Sequence, residues 1–318
     1  MTTFIIRRIL ISIPVFIGIT LLVFTFVAIA PGNVADGLIR PEMSSDAAAR
    51  EEIIRRYGLD QPLPVRYVSW LTNALQGELG YRAMNGTPIS DEVWRGLRAS
   101  LILTGTALIL GILVGVPLGI LSAVRQYSKL DFLLTGVTFL GISLPSFLLG
   151  IGGLWLLGLQ FRLVPIAGMS TVGKPFDMVD FLRHLALPAL ILGFGYMARF
   201  MRYTRASMLD VINAEYITTA RAKGLPSPTV LWRHAFRNGL IPIITLIGLS
   251  IPEVVGAAVV TESVFSWPGL GLMLTEAVNQ RDFLLIMGIT ILLATVVLIA
   301  NLVADVAYGF AAPRIRYS

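Results

Sequence analysis

The chain has 318 residues, 55% of them hydrophobic and 14% charged, with a formal net charge of +6. A soluble globule carries about a quarter of its residues charged and cannot hide this much apolar surface, whereas a bilayer accepts it as solvent. The basic residues stand singly or in small groups at the ends of apolar runs, which is how a membrane protein is oriented; this excludes nucleic acid as a partner and points to membrane lipid.

Arg7 and Arg8 precede an apolar run from Ile9 to Ala30, long enough to cross about 30 Å of hydrocarbon. That run exceeds the apolar centre of a signal peptide, so residues 1–30 read as a retained first transmembrane helix with a cytoplasmic N-terminus; cleavage is the alternative. Residues 31–98 mix acids with arginines and carry frequent turns, the composition of a small helical external (periplasmic) subdomain. In it Ser45 or Asp46 caps a helix that runs to Tyr57 and ends at Gly58. Tyr67, Trp70 and Leu71 share a face of the next short helix, which packs on the membrane domain.

Residues 99–318 read as a five-helix transmembrane core. Leu101–Val124 is the second span, and Gly111, Gly115 and Gly119 form a stripe along it that lets another helix approach closely. Arg125 and Lys129 mark an inner turn. Phe132–Leu159 is the third span, broken by Pro145, and His184–Met201 the fourth, with Arg199, Arg202 and Arg205 at its inner end. Leu240–Val260 is the fifth, interrupted by Pro252, and Phe283–Phe310 the sixth, followed by Arg314 and Arg316. The fold class is therefore all-α membrane protein with six transmembrane helices and both termini cytoplasmic. Thirteen of the 25 basic residues fall on the assigned inner segments, as the positive-inside rule requires. The prolines at 145, 188, 242 and 252 are either packing features or bends about which helices swing.

Between the fourth and fifth spans lies a basic island, 213–242, which overlaps a cytoplasmic coupling loop of 203–238. Met208, Ile212, Tyr216 and Ala220 recur every fourth residue and share one helix face. Gly224 and Pro226 stop that helix; Ser227 caps a second, Pro228 suits its first turn, and Gly239 closes it. Val230, Leu231, Trp232 and Phe236 give the pair an apolar face, which must be buried on headgroups or in a partner's groove, and the elbow favours the partner.

Few residues suggest chemistry. Cysteine is absent, and the two histidines, His184 and His234, stand far apart, so neither a disulfide nor a metal site is expected. Gly168 to Lys174 matches the first seven positions of a phosphate-cradling loop, but Pro175 replaces its magnesium-binding hydroxyl and no strand precedes it. Nucleotide hydrolysis that serves this protein must then be done by another chain. Glu253 follows Pro252 within an apolar run and is either a pathway residue or a carboxylate satisfied at the kink. Asp305 reaches the inner interface by snorkelling, and Asn301 makes a helix–helix hydrogen bond. The external loop of 261–282 contains Phe265, Trp267, Pro268, Gly269 and Gly271. Either its aromatics anchor it at the interface or it is a re-entrant loop that meets a delivered solute or its carrier.

Glu215-Tyr-Ile-Thr-Thr-Ala-Arg-Ala-Lys-Gly-Leu225, Arg233-His-Ala-Phe-Arg-Asn238 and Phe265-Ser-Trp-Pro-Gly-Leu-Gly271 resemble the dipeptide/oligopeptide branch of binding-protein-dependent ABC importer permeases, most closely its B-type subunit. The resemblance extends over essentially the whole chain and implies the type I ABC importer permease fold. In the family a cytoplasmic pattern E-A-A-x-x-x-G docks in a groove of the ATPase. Here it falls on Thr218, Thr219, Ala220 and Gly224, with threonines in place of the Glu and the first Ala, and without the downstream I-x-L-P. The resemblance implies that Glu215, Thr218, Thr219, Ala220, Arg221, Lys223 and Gly224 carry ATPase coupling. It implies a second homologous permease as heterodimer partner, two ABC ATPase subunits that bind ATP and Mg, and an extracytoplasmic solute-binding protein. This chain itself would hold no cofactor and do no catalysis. Its place would be the plasma (inner) membrane of a bacterium or archaeon. The cargo would be di- or oligopeptides, or on the same architecture nickel, opines or oligosaccharides. A different class, an intramembrane enzyme, would rest on Glu253 and Asp305, and a channel would need a selectivity filter that is not visible.

Overall fold

The computed structural model describes residues 2–29, 51, 54–55, 58, 60–82, 85–256 and 258–311. Of the helix expected between Ser45 and Tyr57, residues 51, 54 and 55 are described and are helical; the rest of it, with the terminal Arg314 and Arg316, lies outside the described residues. In chain order the helices are α1 (Thr2–Ile29), α2 (Leu63–Leu75), α3 (Ile89–Val124), α4 (Lys129–Ser143), α5 (Ser146–Gly153, continued as π-helix over Leu154–Gln160) and α6 (Met178–Ile212). They are followed by α7 (Glu215–Ala222), α8 (Ser227–Thr229, continued as π-helix over Val230–Phe236), α9 (Arg237–Ser250), α10 (Glu253–Gly256), α11 (Val259–Phe265), α12 (Leu270–Gln280) and α13 (Phe283–Ala311).

Four stretches are long and apolar enough to cross a membrane: Ile5–Ile29, Ile89–Val124, Met178–Ile212 and Phe283–Val306. The pair Lys129–Ser143 and Ser146–Gln160 would add a fifth, but it is bent by 100°. Leu144 and Pro145 are both extended, as expected of a proline and the residue before it. The fifth sequence run is likewise not one helix. It breaks after Ser250, and Ala258 stands outside the helix that starts at Val259, leaving α9 only 14 residues long, about 21 Å. Pro188 and Pro242, by contrast, sit inside α6 and α9 without ending them. Sequence alone does not separate the two outcomes.

The chain divides into two compact units. One takes the described residues of Met1–Ser100 with Pro268–Leu302. Here Tyr67 of α2 is buried against α1, its hydroxyl 2.9 Å from Thr20 Oγ1 and its ring edge-on to Phe24 at 5.5 Å. A turn over 81–88 is closed by a bridge between Tyr81 and Pro88. Arg82 ties this turn down, with Nη1 3.1 Å from Glu92, Nε 3.4 Å from Asp282 and Nη2 3.0 Å from Gln280. Burial pushes the Asp282 carboxyl up from its ordinary value, while the Leu285 N–H and Arg82 pull it back.

The other unit takes the described residues of Leu101–Trp267 and Val303–Ser318. Its centre is the crossing of α3 and α6. A Cβ on Gly115 would lie 2.6 Å from the Met197 carbonyl oxygen, and one on Gly119 2.6 Å from that of Met201; Gly111 faces Tyr196 as tightly. The stripe of small residues thus does what its spacing predicts. Gly193 reciprocates from α6, its Cβ position 3.1 Å from the Ala107 carbonyl. Gly105, on the turn of α3 before Gly111, has open space. Gly115→Leu should therefore cost about 3 kcal/mol or more through overpacking against backbone, read as a lowered Tm in detergent, while Gly105→Ala stays near the wild-type value.

Candidate functional site

The basic island folds as helix, elbow, helix within the second unit. Asn213 and Ala214 interrupt the helical run after Ile212, and Ala214, with ψ 146°, starts α7 in a new phase. The expected stripe of Met208, Ile212, Tyr216 and Ala220 is therefore not one face. Ile217, not Tyr216, turns inward with Ala220, and Tyr216 is 43% exposed. Ile217 and Ala220 pack with Ile120 and Ala123 of α3, Met208 of α6, and Val230 and Ala235 beyond the elbow.

Gly224 ends α7 at φ 76°. Its N–H donates to the Arg221 carbonyl at 2.9 Å, and the Leu225 N–H reaches back to that of Ala220 at 3.4 Å. This is the double closure that needs a left-handed residue after the helix. Pro226 is extended and Ser227 is the first helical residue rather than a side-chain cap. Gly239 does not close the second helix, which continues through it to Ser250. Its missing Cβ instead admits α6: a Cβ there would meet Met208 Sδ at 2.8 Å, and the Gly239 carbonyl accepts from Ser207 Oγ at 2.9 Å. The elbow is also tied across its own two arms, since Asn238 Nδ2 donates to Tyr216 Oη at 3.0 Å.

Of the residues assigned to coupling, Glu215, Thr218, Thr219, Arg221, Lys223 and Gly224 are exposed on α7 and its end, whereas Ala220 is buried. Sequence reasoning missed Tyr216 and Leu225, two large exposed side chains on the same elbow. The signal for Tyr216 lay in Asn213-Ala214, where the helix phase resets. The apolar face beyond the elbow is split: Val230 is buried, while Trp232 is exposed and packs edge-on to Phe236 at 5.2 Å.

Two ion pairs flank this structure. Arg205 of α6 grips Asp131 of α4 with two bonds of 2.8 Å, and Ser122 of α3 adds its hydroxyl to the same carboxylate. The Tyr127 N–H donates to Asp131 at 2.9 Å, so the turn over 125–128 is fixed by this one side chain. The second pair joins Arg199 of α6 to Glu253, at the break between α9 and α10, with Nη1 2.6 Å from Oε2. Glu253 is thus answered by a guanidinium, not by the amides of its own kink.

The loop of 261–282 holds its aromatics inside the protein. Phe265 and Trp267 are buried, and Ser266 between them takes the left-handed conformation at φ 48°. Trp267 stacks obliquely on Phe181 at 6.2 Å. A residue with no exposed surface cannot anchor in headgroups, which removes that reading for Trp267. Pro268, Gly269 and Gly271 lead into α12, with Gly269 at its N-cap. Asp180 takes the Thr171 N–H at 2.7 Å and the Thr171 hydroxyl at 2.6 Å, so Thr171 in the loop of 168–174 spends both its donors on a carboxylate. Among the described residues no three His, Asp or Glu side chains converge as metal ligands.

Family comparison agrees with this architecture. Residues 115–317 match the binding-protein-dependent transport system inner membrane component, and residues 1–87 match the N-terminal region of such membrane components. The chain belongs to this family of membrane permeases. It is 41% identical over 318 residues to the oligopeptide transport system permease protein AppB of Bacillus subtilis, covering 100% of both chains. It is 34% identical over 338 residues to the dipeptide transport system permease protein DppB of Escherichia coli K12, covering 100% of this chain and 99% of that one. In fold it is similar to a chain of the MetNI methionine ABC transporter in inward-facing conformations, with TM-score 0.51 at 15% identity, over 68% of this chain and 95% of that one.

Asp131→Asn should leave Arg205 unpaired and lower stability by about 3 kcal/mol, the low end for a broken buried pair because Arg205 is partly exposed. The double variant D131N/R205Q should recover part of the loss, as Tm in detergent would show.

Proposed function

We propose that the chain is the transmembrane permease subunit of an ATP-driven, binding-protein-dependent importer of di- and oligopeptides, forming half of the translocation path. The end-to-end 41% identity to an oligopeptide permease protein carries this reading. The chain crosses the membrane six times with both termini in the cytoplasm, 31–98 lies outside as a helical subdomain, and 99–318 forms the core. The fifth crossing is built from α9 to α11 together instead of one helix. The membrane is the bacterial inner membrane.

A second, similar permease completes the path, and an external solute-binding protein delivers cargo at the loop of 261–282, where Ser266 and Pro268 are exposed and Phe265, Trp267, Gly269 and Gly271 support the loop from within. Two ABC ATPases bind beneath and hold the ATP and Mg. Glu215, Thr218, Thr219, Arg221, Lys223 and Gly224 present α7 to a groove on one of them, with Tyr216 and Leu225 beside them. Ala220 acts from within, by fixing α7 to the membrane helices. ATP drives transport by changing the relative stability of two packings of those helices, and α7 is the lever. Its load passes through Ile217 and Ala220 to Met208, Ile120 and Ala123, side chains too closely packed to absorb it.

The decisive measurement is uptake in proteoliposomes by the permease pair with its ATPases and binding protein, with peptides, sugars and metal ions in competition. Competition by peptides alone supports the reading; competition by nickel or oligosaccharides alone replaces the cargo. Gly224→Val forces a β-branched residue into the left-handed region at a cost of about 1–2 kcal/mol, though it meets no neighbour. It should leave the protein in the membrane and ATP hydrolysis intact while uptake falls; unchanged uptake would refute the lever. The chain has no cysteine, so Ala48→Cys provides a single thiol. An impermeant thiol reagent should label it from outside intact spheroplasts, and labelling only after lysis would invert the topology.

A further inference from the structure

We infer that the Arg199–Glu253 pair lines the solute path and sets which charges a peptide carries through it. The inference rests on the peptide-importer reading above. Both residues fall within runs read as membrane crossings, Arg199 towards the inner end of the fourth and Glu253 midway along the fifth. Arg199 stands six residues before Arg205 on α6, about 9 Å further along the helix, and Glu253 follows the 14 residues of α9, about 21 Å from its start. Their side chains are nevertheless 38% and 43% exposed. Charged groups at that depth are expensive against acyl chains, so this exposed side faces water or protein in the assembled transporter. One α-helical turn before Arg199, the Tyr196 hydroxyl is buried with no hydrogen-bond partner among the described residues, and the Arg199 guanidinium lies 5.9 Å from that ring's centre. The ion pair thus stands open at a break in the helical wall, with the Tyr196 ring behind it.

A peptide presents the same chemistry reversed, an ammonium at one end and a carboxylate at the other. Arg199 can take the carboxylate and Glu253 the ammonium, each exchanging one opposite charge for another. With both present the lining carries no net charge, so it neither repels peptides of either sign nor holds them fast. Neutralising one partner would leave a bare charge that discriminates by sign. A pair that only braces α6 against the helix break would not discriminate.

The test is uptake of Ala-Ala-Ala, Ala-Glu-Ala and Ala-Lys-Ala by the full reconstituted complex. If wild type takes up no peptide, the importer reading itself has failed, whatever the pair does. Given wild-type uptake, R199Q should shift the ratio of kcat/KM for the basic over the acidic peptide by about fivefold, and E253Q should shift it as far in the opposite direction. The swap R199E/E253R should return the ratio to wild type. Equal losses for all three peptides, with the ratio unmoved, would overturn the proposal. Should the single variants be too unstable to transport, R199Q/E253C supplies a second readout. Its thiol should react with charged, membrane-impermeant methanethiosulfonates and be protected by peptide; an unreactive thiol in the folded complex would overturn the proposal equally.

Discussion

Along Gly111, Gly115 and Gly119 no side chain separates α3 from α6, and the backbones touch. A lipid environment gives helices no hydrophobic reason to associate, so such contact rests on dispersion between closely fitted surfaces. The fit has a local cost, since the Thr204 hydroxyl, facing Gly119, is buried with no hydrogen-bond partner among the described residues. Its structural consequences reach further. The crossing brings Arg205 to the Asp131 carboxylate and Ser122, and it brings Met208 to the end of α3, where Ile120 and Ala123 wait.

The elbow is built on that crossing. Eight residues of α7 are too few to hold a helix by themselves, and tertiary packing supplies what length does not. Ile217 and Ala220 provide the packing, the Gly224 closure holds the last turn, and the Tyr216–Asn238 bond joins the two arms. After the elbow the chain takes a π-helical turn over Val230–Phe236, wound more widely than the α-helix on either side. Such segments often mark functional sites. Here it turns Val230 and Ala235 inward and leaves Trp232 outside. The second arm then runs unbroken into α9, so any movement of the elbow is delivered directly to that helix.

The charged side chains of the two ion pairs divide by burial. Asp131 is nearly fully enclosed and bonded on every side, as befits a structural fixture. Arg199 and Glu253 are paired as closely but stay open. An enclosed pair cannot exchange partners without exposing a charge to a poor solvent, while an open one can. This difference, invisible in the residue types, separates a pair locked in place from one free to exchange partners.

The sequence by itself determined the membrane class, the family, the glycine contact and the elbow at Gly224, because each is local or periodic: an apolar length, a four-residue spacing, a residue tolerant of positive φ. Only the tertiary structure decided which prolines break their helices, that Gly239 admits a neighbour instead of ending a helix, and that Tyr216 and Ile217 exchange faces. It also found Arg199, 54 residues from Glu253 in the chain, and placed Trp267 inside the protein. These depend on what lies across the gap from each residue, and no spacing along the chain encodes the far side of a packed interface.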